Sequence, residues 1–102
     1  MKLFTSTELD EAVRIWTGST HSSYPKRDDE AVIMRFGVDL GSRLLALLKS
    51  LKTDFYSSDA RIYAQSFEEM GSMASTDFRR RHPAVSDDVV QAFAWCYTFD
   101  YK

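Results

Sequence analysis

The sequence predicts an all-α fold: a small single-domain bundle of about four helices around one long central helix. Apolar residues recur at intervals of three and four in four separate segments, and residues that cap helices precede those segments. The chain holds only four glycines and two prolines in 102 residues, so its loops should be short. Residues 1–102 are therefore interpreted as one helical domain.

The central helix is predicted from Asp28 to Leu51, because its apolar residues follow one another at helical steps. Asp28 or Asp29 can cap its start. We expect the apolar stripe of this helix, together with one residue of the last helix, to be largely buried: Ile33, Phe36, Leu40, Leu44, Leu47 and Phe93. Gly37 and Gly41 interrupt the helical pattern, which indicates that the helix bends there or that a neighbour crosses closely.

A first shorter helix is predicted over Ser6–Thr17, where Thr5 and Glu8 have the spacing of a capping box. Leu3 and Phe4, which precede it, are expected to pack on the core. Residues 53–65 are ambiguous, since a short helix and an extended connector both fit their apolar and polar residues. No sheet is predicted there, because a single strand would have no partner.

Two further helices are predicted in the second half of the chain. One covers Phe67–Arg80, and the other runs from Ser86 to about Tyr97, with acidic residues in the first turn of each. The last five residues are too aromatic for a free polar tail, so we expect Phe99 or Tyr101 to pack back on the body.

Composition and charge exclude several classes of protein. An apolar content of 44% with 14% aromatic residues favours a packed globule over a disordered chain. A net charge of −2 gives no general attraction to nucleic acid. The chain has no apolar run of membrane-spanning length and no long apolar segment near its start, so we expect neither membrane insertion nor secretion. One cysteine allows no internal disulfide, and a cytoplasmic location is expected.

No residue pattern in the sequence indicates catalysis, a metal or a cofactor. His21 and His82 are the only histidines, and neither has the spacing to Cys96 or to the other that metal sites use. Cys96 lies between two aromatic residues on a predicted helix, which favours a buried, inert thiol over a nucleophile. No glycine-rich phosphate loop or nucleophile elbow is present, so the chain is predicted not to be an enzyme.

The carboxylates cluster at predicted helix starts, where they can compensate the helix dipole, meet a basic partner, or do both. The loop before the central helix places an aromatic residue close to one such cluster. We therefore predict that a partner protein contacts four residues there: Tyr24, Asp28, Asp29 and Glu30. The alternative is that Tyr24 and Pro25 pin the loop to the core.

The one basic cluster, Arg79, Arg80 and Arg81 followed by His82, leaves a second function open. Its position at a helix C-terminus suits the helix dipole. The same arginines could instead contact phosphates, so the alternative function is a small helical nucleic-acid-binding or regulatory module.

Residues 66–102 resemble the C-terminal half of small cytoplasmic bacterial proteins that are encoded beside toxins. In those proteins a helix that ends in a basic residue and His-Pro precedes a Ser-Asp-capped helix that ends in an aromatic Cys-Tyr-x-x-Asp segment. The matching residues in this sequence are Phe78, His82, Pro83, Ser86, Trp95, Cys96, Tyr97 and Asp100. The family is the immunity proteins of contact-dependent growth inhibition and related polymorphic toxin systems. The resemblance implies tight binding to one cognate toxin domain, often a nuclease, in the cytoplasm of the producing cell, and it carries no catalytic motif.

Overall fold

The structure is a computed structural model that describes residues 5–19 and 23–101. Six helices form within these residues. They are α1 (Ser6–Thr17), α2 (Asp29–Phe36), α3 (Val38–Tyr56), α4 (Ala60–Tyr63), α5 (Phe67–Arg81) and α6 (Asp87–Asp100). These residues contain no strand, and the prediction of an all-α bundle is confirmed.

Helix α1 has the predicted bounds and the predicted cap. The Thr5 hydroxyl accepts a hydrogen bond from the Glu8 backbone N–H at 3.1 Å, and the Thr5 N–H donates to Glu8 Oε1 at 2.8 Å. Both bonds of the capping box are therefore present. The helix ends at Gly18, whose φ of 74° is a left-handed conformation that glycine adopts without strain. Leu3 and Phe4, which are predicted to pack on the core, lie outside the described residues.

The prediction of one long helix from Asp28 to Leu51 is wrong, because the chain turns at Gly37. The φ of Gly37 is 86°, which side chains other than glycine's rarely adopt. Its N–H ends α2 by donating to the Ile33 carbonyl oxygen at 2.7 Å, and its own carbonyl accepts from the Gly41 N–H at 2.8 Å, which starts α3. The Gly37 N–H thus completes the end of α2, whereas no side chain caps the start of α3.

Gly41 allows α2 to pack closely on α3. A Cβ atom placed on Gly41 would lie 3.0 Å from Ile33 Cδ1 and 3.1 Å from Ile33 Cα. Both explanations that the sequence offered for its two glycines therefore apply, one to each residue: the chain changes direction at Gly37, and a neighbour crosses closely at Gly41.

The break also changes which face of the central segment is buried. Leu44 and Phe93 are fully buried, as predicted. Four other residues of the predicted stripe pack against the core but are less completely buried: Ile33, Phe36, Leu40 and Leu47. The helical periodicity of α3 does not continue that of α2, because the chain turns at Gly37. The buried residues of α3 are therefore not those expected for one continuous helix: Gly41, Leu44, Leu45, Leu48, Leu51 and Phe55.

An aromatic cluster fills the centre of the bundle. The Phe55 ring of α3 lies 5.2 Å from the Phe78 ring of α5, and 5.9 Å and 5.7 Å from Phe93 and Tyr97 of α6, between centroids. All four side chains are fully buried. Burial of each such side chain contributes roughly 1.5–3 kcal/mol, so this cluster holds α3, α5 and α6 together.

The ambiguous segment, residues 53–65, contains the last turn of α3 and the short helix α4. Helix α3 continues to Tyr56, and α4 forms one short turn before α5 begins. Helix α6 extends beyond its predicted end to Asp100, and Tyr101 then packs with its ring centroid 4.9 Å from that of Tyr97. Phe99 is itself within α6 and partly exposed. None of the described helices has the length and apolar character needed to cross a membrane.

Candidate protein-binding surfaces

The predicted partner residues lie around the start of α2, where the fold already uses two of their three carboxylates. Asp28 is the N-cap and accepts a hydrogen bond from the Ala31 N–H at 3.1 Å. Asp29 accepts from the Trp16 indole N–H at 2.8 Å and from Lys49 Nζ at 2.6 Å. Glu30 is exposed and forms no ion pair with any residue that the structure describes.

The two hydrogen bonds to Asp29 lower the pKa of its carboxyl group. The hydrogen bond from Lys49, followed by that from Trp16, holds the pKa of the Asp29 carboxyl below its ordinary value. Because these bonds join the start of α2 to α1 and α3, Asp29 contributes to the fold whether or not a partner binds. Most of its negative charge is balanced within the chain by Lys49.

Tyr24 and Pro25 differ in how they contact the rest of the chain. Pro25 is buried, whereas the Tyr24 side chain is 52% exposed. The Lys26 N–H donates to the Thr17 carbonyl oxygen at 2.8 Å, which fixes the following residue to the end of α1. Pro25 and the backbone therefore anchor this loop, and Tyr24 remains a predicted partner residue.

A second surface, which the sequence analysis did not select, lies on α4 and the first half of α5. Its apolar residues are Ile62, Tyr63, Phe67 and Met73, all of them exposed. The side chains of Tyr63 and Phe67 are 69% and 52% exposed, which is high for aromatic residues in a folded domain. We call these four residues, together with the carboxylates Asp59, Glu68 and Glu69, the α4–α5 surface.

Two adjoining depressions are lined by five of the seven residues of the α4–α5 surface, all except Ile62 and Glu69. A cleft of about 300 Å³ between α4 and α5 is lined by Asp59, Tyr63 and Met73. A groove of about 410 Å³ between α5 and α6 is lined by Phe67 and Glu68. Ser72 and Thr76 of α5 line both depressions, so the two open side by side on one face of the molecule.

The carboxylates of the α4–α5 surface have no cationic partner. Asp59, Glu68 and Glu69 form no ion pair within residues 5–19 and 23–101. Two arginines lie nearby. Arg80 pairs with Asp77 at 3.6 Å, and Arg61 donates to the Ser58 carbonyl oxygen at 2.9 Å. The surface therefore combines exposed apolar area with carboxylates that form no ion pair among the described residues.

Sequence periodicity missed this surface for an identifiable reason. Phe67 falls in phase with the buried residues Met70, Gly71, Ala74 and Phe78, so it was expected to face the core. It is the first residue of α5, and it is exposed beside the last turns of α6. Ile62 and Tyr63 could have indicated this surface, because they are two adjacent apolar residues on a helix of only four residues.

The basic cluster at the end of α5 is paired with carboxylates of the same chain. Arg79 contacts Asp87 at 3.0 Å, and Arg80 contacts Asp77. Arg81 and His82 both pair with Asp54 of α3. The Arg79 pair joins α5 to the start of α6, and the Arg81 and His82 pairs join its end to α3, whereas the Arg80 pair lies within α5. These contacts favour a structural role for the cluster.

The described residues contain no group of three or more His, Cys, Asp and Glu side chains able to hold a metal ion. His21 lies outside those residues. Cys96 is fully buried, and burial raises the pKa of its thiol to about 11, as expected for an inert thiol.

Comparison of the chain with protein-family models, with curated proteins and with solved structures gave no match.

Proposed function

We propose that this protein is an immunity protein that binds a cognate bacterial toxin domain, a nuclease, and neutralises it by occluding the active site. The observation that carries the proposal is the α4–α5 surface, where exposed aromatic side chains lie beside unpaired carboxylates. Aromatic residues and Met are enriched at protein interfaces, and they bind strongly when a partner excludes water around them.

The resemblance of residues 66–102 supplies the class of partner. A nuclease active site attracts phosphates, so its surroundings are basic. Unpaired carboxylates on an inhibitor raise the rate of association with such a surface and disfavour wrong partners. In this proposal the protein acts in the cytoplasm of the producing cell, where an internal copy of the toxin would otherwise reach its substrate.

We propose binding rather than catalysis as the mode of action. The only thiol of the chain is buried with a raised pKa, which makes it a poor nucleophile. His82 is held by Asp54 at the end of α5, where it packs against the Phe78 ring at 4.7 Å between centroids. These contacts support structural roles for both residues.

A nucleic-acid-binding or regulatory module that uses Arg79, Arg80 and Arg81 is the alternative, and their ion pairs favour it less. Changing Arg80 and Arg81 together to Gln should lower the free energy of unfolding by at most about 1 kcal/mol, because the pairs are partly exposed to solvent. Protection against the toxin should be unchanged. A specific RNA or DNA complex that the wild type forms and this variant loses would support the alternative instead.

The proposal is tested with the gene immediately upstream, which should encode the C-terminal domain of a large toxin. Production of that domain alone should stop growth, and co-production of this protein should restore it. The two purified proteins should elute together in size-exclusion chromatography. A toxin domain from an unrelated system serves as the control and should not be neutralised. Absence of such a gene, or failure to bind and protect, would contradict the proposed function.

A further inference from the structure

We propose that the α4–α5 surface is the docking site for the toxin domain, and that it receives a basic face of that partner. This inference rests on the proposed function and deepens it by assigning the contact to α4 and the first half of α5. It selects a surface other than the start of α2, where the sequence placed the predicted contact residues Tyr24, Asp28, Asp29 and Glu30.

Apolar anchors are the first requirement of a docking site, and the α4–α5 surface has several on one face. Tyr63 and Met73 line the cleft between α4 and α5, and Phe67 lines the adjoining groove. Side chains of these types concentrate at the centres of protein interfaces, where a few residues provide most of the binding energy. At the start of α2, Tyr24 is the one comparable exposed aromatic side chain among the predicted residues.

Preorganisation is the second requirement, and hydrogen bonds to the core hold α4 in place. The Arg61 N–H donates to the Tyr97 hydroxyl at 3.0 Å, and that hydroxyl donates to the Ser58 carbonyl oxygen at 3.2 Å. The Ser58 hydroxyl in turn donates to Asp77 Oδ2 of α5 at 3.2 Å. Tyr63 is therefore presented on an anchored turn, which reduces the entropy lost when a partner fixes it.

The carboxylates of the α4–α5 surface indicate that the partner face is basic. Asp59, Glu68 and Glu69 have no ion-pair partner among the described residues, and of the three carboxylates at the start of α2 only Asp29 has one, Lys49. The arginines that line the two depressions are engaged by other carboxylates, Arg79 by Asp87 and Arg80 by Asp77. Arg61 of α4 donates to a backbone carbonyl. A basic protein face would supply the missing cations and gain in association rate. A second copy of this chain would place like charges opposite each other and is disfavoured.

The two surfaces can be tested independently because they lie on separate helices. Helix α4 contacts α5 and α6, whereas α2 contacts α1 and α3. Substitutions at exposed, separated sites act additively, so a change on one surface leaves the other intact.

The decisive experiment compares two double variants that change the charge by the same amount at two helix starts. Glu68→Lys with Glu69→Lys reverses the carboxylates of the α4–α5 surface, and Asp28→Lys with Glu30→Lys is the matched control. Binding to the C-terminal domain encoded immediately upstream is measured by surface plasmon resonance at low and moderate salt. Circular dichroism and the melting temperature establish that each variant is folded.

We expect Glu68→Lys with Glu69→Lys to weaken binding by about ten-fold or more, mainly through slower association, and to reduce its salt dependence. The control pair should stay within about two-fold of the wild type. Tyr63→Ala, which changes no charge, should accelerate dissociation by about ten-fold. Because Tyr63 is exposed, Tyr63→Ala should stay folded, so it tests the surface independently of the lysine variants.

Two results would overturn the inference while leaving the proposed function intact. One is wild-type affinity in both α4–α5 variants together with weakened binding in the control pair. The other is concentration-dependent dimerisation of the chain that Tyr63→Ala abolishes while toxin affinity is unchanged, which would assign the surface to a second copy. If the wild type itself neither binds nor protects, the proposed function fails, and this inference fails with it.

Discussion

Tyr97 of α6 accepts a hydrogen bond from the backbone N–H of Arg61 in α4, with 3.0 Å between the two atoms. The same hydroxyl donates to the Ser58 carbonyl oxygen, and the Tyr97 ring is fully buried beside Phe55. A four-residue helix is too short to be stable by itself. This buried hydroxyl therefore connects the core to the turn that presents Tyr63.

Tyr97→Phe tests that connection, because it removes the hydroxyl and keeps the ring contacts. The Arg61 N–H loses its acceptor, so we expect the free energy of unfolding to fall by roughly 1–2 kcal/mol. Amide exchange at residues 60–64 should accelerate more than exchange in α3. The measurements are urea denaturation and amide hydrogen exchange by NMR. Unchanged exchange at Arg61 would show that this bond does not hold α4.

Leu44→Ala tests the burial pattern of α3, with Leu47→Ala as its matched control. Leu44 is fully buried, so its truncation should cost roughly 2–5 kcal/mol by leaving a cavity. Leu47 is only partly buried, and the same truncation should cost clearly less. Urea denaturation of both variants measures the difference. Equal losses would support the helical phase that the sequence predicted and contradict the phase described for α3.

Asp29 should make stability depend on pH in the acid range. Its pKa is lower in the folded chain than in the unfolded chain, so its stabilising contribution is present above the ordinary Asp value of about 3.9. That contribution is lost as the pH falls through the folded value, because the unfolded chain then binds the proton more readily. The stability gap between the wild type and Asp29→Asn should therefore be constant near neutral pH and narrow below about pH 4. A gap that widens on acidification would contradict the role given to Lys49 and Trp16.

Local signals in the sequence predicted most helix ends, since caps depend on residues close to each other in the chain. Thr5 and Glu8 form both bonds of the capping box. Ser66 and Ser86 cap through the serine hydroxyl alone, and the reciprocal side-chain bond that the Ser66 and Glu69 spacing also predicts is not formed. The turn at Gly37 was harder to predict, because a helix with two glycines can bend, kink or break at similar local cost. The packing of α2 on α3 at Gly41 determines whether the helix bends, kinks or breaks. The spacing of apolar residues in the sequence does not reveal such packing.

The α4–α5 surface depends on tertiary placement in the same way. Periodicity assigns Phe67 to the buried face, whereas in the folded chain it is exposed at the start of α5. The ion pairs between Arg81 and Asp54 and between Arg14 and Asp88 also join residues far apart in sequence. For these reasons the sequence could suggest acids at helix starts as partner contacts, but it could not distinguish neutralised carboxylates from unpaired ones.

The most direct test of the central claim is amide hydrogen exchange of the protein with and without the C-terminal toxin domain encoded immediately upstream. We predict slower exchange in the complex at residues 60–63 and in the first half of α5, with little change in α2. Slowing confined to residues 24–36, with α4 and α5 unaffected, would contradict the claim that the toxin domain docks on the α4–α5 surface.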